Sequence, residues 1–206
     1  MLTLRVSATD LDAYRRFRDN EDVELEDLLA QLRRESPPTE AMMAGTALHS
    51  ALEMLADGEH QSIAIDGYQF DFEADGEVDI PPIREMKATR DYLVSGVLVT
   101  LVGKVDAIHG RRVDDHKFTS RYDAERFLNG YQWRVYLEVF GADEFRWNVF
   151  EGRARPEADR HYVITSIHQL TMHRYPGIAE DVEREVAEFV DFARVHLPEK
   201  LLAVAA

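Results

Sequence analysis

The sequence predicts a mixed α/β fold of the α+β kind, in which a central mixed β-sheet is flanked by helices. Apolar residues recur at helical spacing in separated stretches, and strand-like runs that alternate apolar and polar residues fill the intervals. The order reads as three helices, a β-meander, a helix, two strands and a last helix. No internal repeat, low-complexity tract or linker divides the 206 residues, so they are read as one domain.

Thr9 or Asp10 can N-cap a first helix with Leu11, Tyr14 and Phe17 on its apolar face. After a break near Asn20 the pattern resumes with Val23, Leu28, Leu29 and Leu32. Residues 1–38 are therefore expected to be a helical N-terminal lead-in, closed by Ser36-Pro37-Pro38. A third helix is predicted over 39–56, with Met42, Met43, Leu48, Leu52 and Leu55 on its apolar side and Asp57-Gly58 at its end. SIAI and YQFDFE then flank Asp66-Gly67, a hairpin signal because both residues tolerate positive φ. Strand-like runs follow Pro81-Pro82 at 84–94, 96–108 and 111–118. Phe127, Tyr131, Val135 and Val139 repeat every four residues, which predicts one helix over 123–140 stopped by Gly141. Strands over 145–151 and 161–171 and an amphipathic helix over 177–196 complete the pattern.

Hydrophobic residues make up 45% of the chain, an ordinary share for a globular core. No apolar run is long enough to span a membrane, and MLTLRVSATD lacks the basic and apolar regions of a secretory signal, so a cytoplasmic protein with no membrane association is expected. The absence of cysteine excludes disulfides, thiolate zinc sites and thiolate-held iron–sulfur clusters. His nitrogen and carboxylate oxygen remain as ligands, and they favour a hard metal ion. With 24 Lys and Arg against 39 Asp and Glu, the net charge is −15, the opposite of what phosphate binding asks for. The acids crowd into 19-DNEDVELED-27 and 71-DFEADGEVD-79, whereas 84-REMKATR-90, 111-RR-112 and 117-KFTSR-121 are locally basic. The sign of the surface is thus expected to differ from face to face.

The segment VGKVDAIHGRRVDDHKFTS, residues 102–120, raises the chemical question. Acids inside a sheet are costly to bury unless they are paired or bound to metal. Two strands joined by the HGRR turn would set Asp106 beside Asp115, and the pair could hold Mg²⁺ or Mn²⁺ through oxygen, with the backbone carbonyl of His116 as a further ligand. Lys117 shares a face with Asp115 and would stabilise charge developing at phosphorus or orient a water, while His116 points the other way. On the preceding helix, Gly45, His49 and Glu53 lie four apart on one face, so His49 could complete a metal shell. Gln132 and Tyr136, one turn apart, could reach a substrate.

Each of these signals also has a structural explanation. Asp-x-Lys in a strand is usually a solvated pair, and Glu85-Met86-Lys87 is read that way because no paired Asp precedes it closely. A lone His49 fits a core histidine, and His161, His168 and His173, successively spaced by seven and five so that neighbours in the series point to opposite faces, are read as structural. Trp133 and Trp147 are read as core, with Trp133 kept as the aromatic that could contact DNA. It is the combination, in order, that carries weight.

Taken together, GxxxH on a helix, GxxD, DxK followed by Thr, and QxxxY on a helix resemble the PD-(D/E)XK nuclease superfamily, and more narrowly its RecB-like and Cas4-like exonuclease branch. The similarity runs over about 45–136, and 6-VSATDLDAY-14 resembles the short first helix of that branch. The resemblance implies a restriction-endonuclease-like fold and a Mg²⁺- or Mn²⁺-dependent phosphodiesterase acting on DNA. It also implies metal ligands His49, Asp106 and Asp115, catalytic Lys117, and Thr119, Gln132 and Tyr136 at the substrate, although Phe118 separates Thr119 from the usual position. The cysteines that many members use for an iron–sulfur cluster are missing. The expected activity is a DNA exonuclease of recombination, repair or phage DNA processing. The alternatives are a non-catalytic or partner-dependent subunit of a DNA-processing complex and a structure-specific endonuclease. A recombination protein as partner and a homo-oligomer enclosing DNA belong to the same set of expectations.

Overall fold

A computed structural model describes residues 1–20, 22–54, 62–74 and 83–203. Leu55, Asp57-Gly58 and Pro81-Pro82 lie outside them, as does the side chain of Glu53. The described strands form one nine-stranded mixed sheet. Helices pack on both faces of this sheet, as expected.

The chain opens with β1 (Leu2–Ser7), which pairs in parallel with β5 (Val97–His109). This corrects the expectation of a wholly helical lead-in over 1–38. Leu4 and Val6 alternate with Thr3, Arg5 and Ser7, the period of a strand with one buried face. Helix α1 (Ala8–Asp19) follows, capped by Ser7 rather than by Thr9 or Asp10, in a reciprocal capping box with Asp10. Helix α2 is Leu25–Arg33 and α3 is Glu40–Met54. The predicted hairpin is β2 (Ser62–Ile65) and β3 (Tyr68–Phe72), with Asp66 and Gly67 both at positive φ. Then come β4 (Ile83–Val94), which pairs with β5 along its length, and β6 (Arg112–Thr119).

The single helix expected over 123–140 is two, α4 (Ala124–Asn129) and α5 (Gln132–Phe140), broken at Gly130. The cause lies elsewhere in the chain. Asp12 of α1 accepts the backbone N–H groups of Tyr131 at 2.6 Å and Gln132 at 3.3 Å, and so starts a new helix there. Gly141, at φ 60°, ends it. β7 (Glu144–Ala154), β8 (His161–His173), α6 (Ile178–His196) and β9 (Leu202–Ala203) follow. Among the described residues no helix is long and apolar enough to cross a membrane.

The order across the sheet is β2-β3-β8-β7-β6-β5-β1-β9, with β4 on the remaining edge of β5. One core lies between the sheet and α1, α5 and α6; a smaller one lies under α3, around Leu48, Leu52, Phe70 and Phe150. Helix α5 sits flush on β5 because position 103 is glycine. A Cβ there would meet Phe140 at 2.8 Å and Tyr136 at 3.2 Å. Glu138, fully buried on α5, is paired with Arg90 of β4 at 2.8 Å and with Arg174, whose Nη1 also donates to the Leu137 carbonyl at 2.8 Å. These contacts fix the rotation of α5 and hence the direction of Gln132 and Tyr136.

Candidate active site

One edge of β5 changes partner along its length. β1 pairs with it from Val97 to Val102, and β6 from Ala107 to His109. Between these two ladders β1 has turned into α1 and β6 has begun to follow β7, in parallel, away from β5. The strands diverge there and leave a notch, the kind of crevice in which open sheets bind ligands. Asp106, Asp115 and Lys117 are at this notch.

Asp106 bridges the divergence. Its Oδ2 accepts the backbone N–H of His116 at 2.6 Å, a bond that the sheet ladder would otherwise make, and its Oδ1 pairs with His49 Nδ1 of α3 at 3.3 Å. Opposite Asp106 across the β4–β5 ladder is Glu85, a non-glycine residue at φ 55°. Such a conformation costs energy and is concentrated near functional sites. Asp115, 3% exposed, forms an ion pair with the Lys117 ammonium through its Oδ2. Lys117 lies over the Trp147 ring at 5.2 Å, because parallel pairing sets Trp147 beside Asp115. Gln132 Nε2 donates to Tyr136 Oη at 2.7 Å, both residues being buried.

The electrostatics push the two carboxylates apart. Burial would raise Asp106, but the hydrogen bond and charge of His49, with help from Lys117, bring it down to about 2. Burial raises Asp115 to about 6, opposed by Lys117 and reinforced by the Asp106 charge. Burial would lower Lys117, yet Asp115 and Asp106 outweigh it and the amine is raised. Burial, with the Asp115 charge, lifts the Tyr136 hydroxyl well above its ordinary range and keeps it a donor. Two acids held at different protonation tendencies beside a charged lysine form an arrangement that concentrates at functional sites.

His49 is raised above its ordinary 6.5: burial pushes it down, and the Asp106 hydrogen bond and charge more than compensate. The stability that His49 contributes is complete below 6.5 and is lost as pH rises through its higher folded value. Asp106 contributes above its ordinary 3.8, and that part is lost as pH falls through about 2. In metal-free protein, Asp106→Asn is expected to drop the His49 pKa below 6.5, since burial then acts without its counterweight. Histidine ring NMR titration checks this; an unchanged His49 value would refute the pairing.

The structure thus brings His49, Asp106, Asp115 and Lys117 to one notch, with Gln132 and Tyr136 on the helix beside it. Among the described residues no three His, Asp or Glu side chains are gathered closely enough to hold an ion as they stand. Thr119 shares the face of Lys117, but its hydroxyl closes a turn, donating to the Arg121 carbonyl at 2.8 Å. His116 is buried against Asn148 at 3.3 Å, and burial lowers it to about 4. Trp133 is a packing residue, buried, with Nε1 on the Leu128 carbonyl at 3.2 Å and Arg134 4.2 Å above its ring. His161 and His168 bind separate acids, Asp71 and Glu151. Sequence reasoning missed Asp12, which carries no local signal, and Trp147, whose place becomes plain once the β6–β7 pairing is known.

No family model matches the chain. No curated protein sequence matches it either. Among solved structures, one described as SSO0001 superposes with a TM-score of 0.53 at 18% identity, covering 91% of this chain and 76% of its own. The alkaline exonuclease LHK-Exo from Laribacter hongkongensis gives 0.49 at 12% identity, covering 95% of this chain and 90% of its own. The same enzyme in complex with dAMP gives 0.49 at 11%, covering 94% and 90%. The first similarity speaks for the fold alone, and the other two are too distant to bear on activity.

Proposed function

We propose that the chain is a divalent-metal-dependent DNA exonuclease that hydrolyses phosphodiester bonds. The observation that carries this is the divergence of β1 and β6 from β5, which sets half-buried Asp106 and buried Asp115 beside a charged Lys117. The donors suit a hard cation: two carboxylates and one imidazole, all oxygen and nitrogen, with Asp106 and His49 already in contact at 3.3 Å. Asp106, Asp115 and His49 would hold Mg²⁺ or Mn²⁺, which when bound supplies positive charge that acidifies water and offsets charge at phosphorus. Lys117 sets its ammonium where negative charge grows on the phosphoryl oxygens. Tyr136, kept protonated and steadied by Gln132, offers a donor beside the same notch. Thr119 stands on the Lys117 face, toward the substrate. Recombination, repair or phage DNA processing in the cytoplasm, with a recombination protein as partner or as a homo-oligomer, is the setting this chemistry fits.

The net charge of −15 favours a second assignment, a partner-dependent or non-catalytic subunit that another protein brings to DNA. Digestion of end-labelled linear and closed circular DNA, single- and double-stranded, with Mn²⁺, Mg²⁺ or EDTA, separates the two. Metal-dependent loss of linear substrate alone is expected. Cleavage of circles would instead make the protein an endonuclease, and intact DNA in every lane with folded protein would favour the second assignment.

A further inference from the structure

The chain's charge leaves open how it would hold a polyanion, and the sheet offers a specific surface. Directly paired strand residues point to the same face, as do residues two apart on one strand. Lys104 lies two residues before Asp106, and its partner across the β4–β5 ladder is Lys87. Arg5 of β1 pairs with Thr100, four residues before Lys104, so it shares that face too. Arg5, Lys87, Thr89 and Lys104 are all exposed, while α1, α5 and α6 cover the opposite face, where Leu4, Val6, Val99 and Leu101 are buried. The acids on this face are engaged: Glu85 pairs with Lys104, and Asp91 accepts the Thr100 hydroxyl at 2.8 Å. Arg84, which reaches the Leu52 carbonyl at 3.2 Å, adds positive charge next to the notch and is felt at His116.

Lys87 and Lys104 face each other directly in the ladder, and Glu85 offsets only part of that local positive charge through its pair with Lys104. A phosphate between the two lysines would meet both ammonium groups. We propose that this open face of β1, β5 and β4 is the track for the phosphate backbone of the DNA substrate, held by Arg5, Lys87 and Lys104 and leading to Asp106. The proposal rests on the nuclease assignment for its ligand. From the Arg5 level to Asp106 the track runs six residues along β5, about 20 Å at a strand's rise, long enough for several phosphates of an extended strand. Charge complementarity favours a nucleic-acid backbone over an apolar partner, and continuity with the notch favours the substrate over a remote ligand.

The test is fluorescence anisotropy of a labelled single-stranded oligonucleotide in EDTA, so that binding is read without turnover, over a range of salt. Arg5→Gln/Lys87→Gln/Lys104→Gln is expected to bind about 100-fold more weakly than wild type near 0.1 M salt, and its log–log salt slope to be smaller by about 2. Its thermal midpoint should stay within a few degrees of wild type, since loss of the exposed Lys104–Glu85 pair and relief of the lysine repulsion are small and opposed. Arg33→Gln/Arg184→Gln/Arg194→Gln, which removes the same charge from α2 and α6, should keep the wild-type slope. An unaltered slope in the first variant, or wild type that binds no DNA, overturns the proposal. Wild-type cleavage with Mn²⁺, measured alongside, keeps the two assignments distinct. Binding lost in the variant without wild-type cleavage removes the nuclease assignment and leaves the track, and cleavage with an unaltered slope does the reverse.

Discussion

Lys117→Ala is expected to lower the rate of DNA cleavage by about 10²- to 10³-fold while calorimetric Mn²⁺ binding stays within a few-fold of wild type. Asp115→Ala is expected to abolish both. The difference arises from what each side chain supplies. Lys117 brings a positive charge, held raised by Asp115 and Asp106, to the open side of the notch beside a buried carboxylate. Its removal takes away stabilisation that matters most when charge builds on the phosphoryl oxygens. Asp115 supplies oxygen ligands as well as the partner that fixes the ammonium over Trp147. Cleavage surviving in Asp115→Ala would remove the nuclease assignment, and lost metal binding in Lys117→Ala would make the lysine structural rather than catalytic.

Glu138→Ala should destabilise the fold by about 1–3 kcal/mol, the cost of removing a buried acceptor from two arginines that are themselves partly exposed and recover some solvation. Glu138 is fully buried between Arg90 and Arg174, which remain behind in the variant with their charges uncompensated. Glu138→Gln should cost less, because an amide oxygen still accepts from one arginine. Urea unfolding measures both, read from the midpoint at constant slope. A loss below about 1 kcal/mol in Glu138→Ala would show that the arginines find other partners.

Most of the site is legible in the sequence because its signals are local. Asp115 and Lys117 two apart, Asp106 one short turn earlier, and His49 on a helix of small residues are features of spacing, and the structure brings them together. Glu85-Met86-Lys87 reads as exposed charge, and Glu85 and Lys87 are exposed. What spacing does not convey is that their strand pairs with the one bearing Asp106, which makes Glu85 the residue opposite it. The break at Gly130 is hidden by an apolar repeat that continues across it, since the deciding carboxylate comes from Asp12, more than a hundred residues earlier. β1 merges into the helical lead-in because its partner, β5, is equally remote. Long-range pairing leaves no periodicity in the segment it captures.

That remoteness has a kinetic side. Leu2 pairs with Val97, and at the other end of the sheet Gln69 pairs with His161, both in parallel. Contacts between residues so distant in sequence are reached late, because loop closure must precede any reward, and they place a chain among slow folders. During synthesis at about 5–20 residues per second, β1 waits roughly 5–20 s for its partner to emerge. Throughout that interval an apolar strand has an open edge and nothing in the nascent chain to satisfy it. A holding chaperone or a neighbouring nascent chain would find at Leu2–Ser7 a strand edge still waiting for its partner.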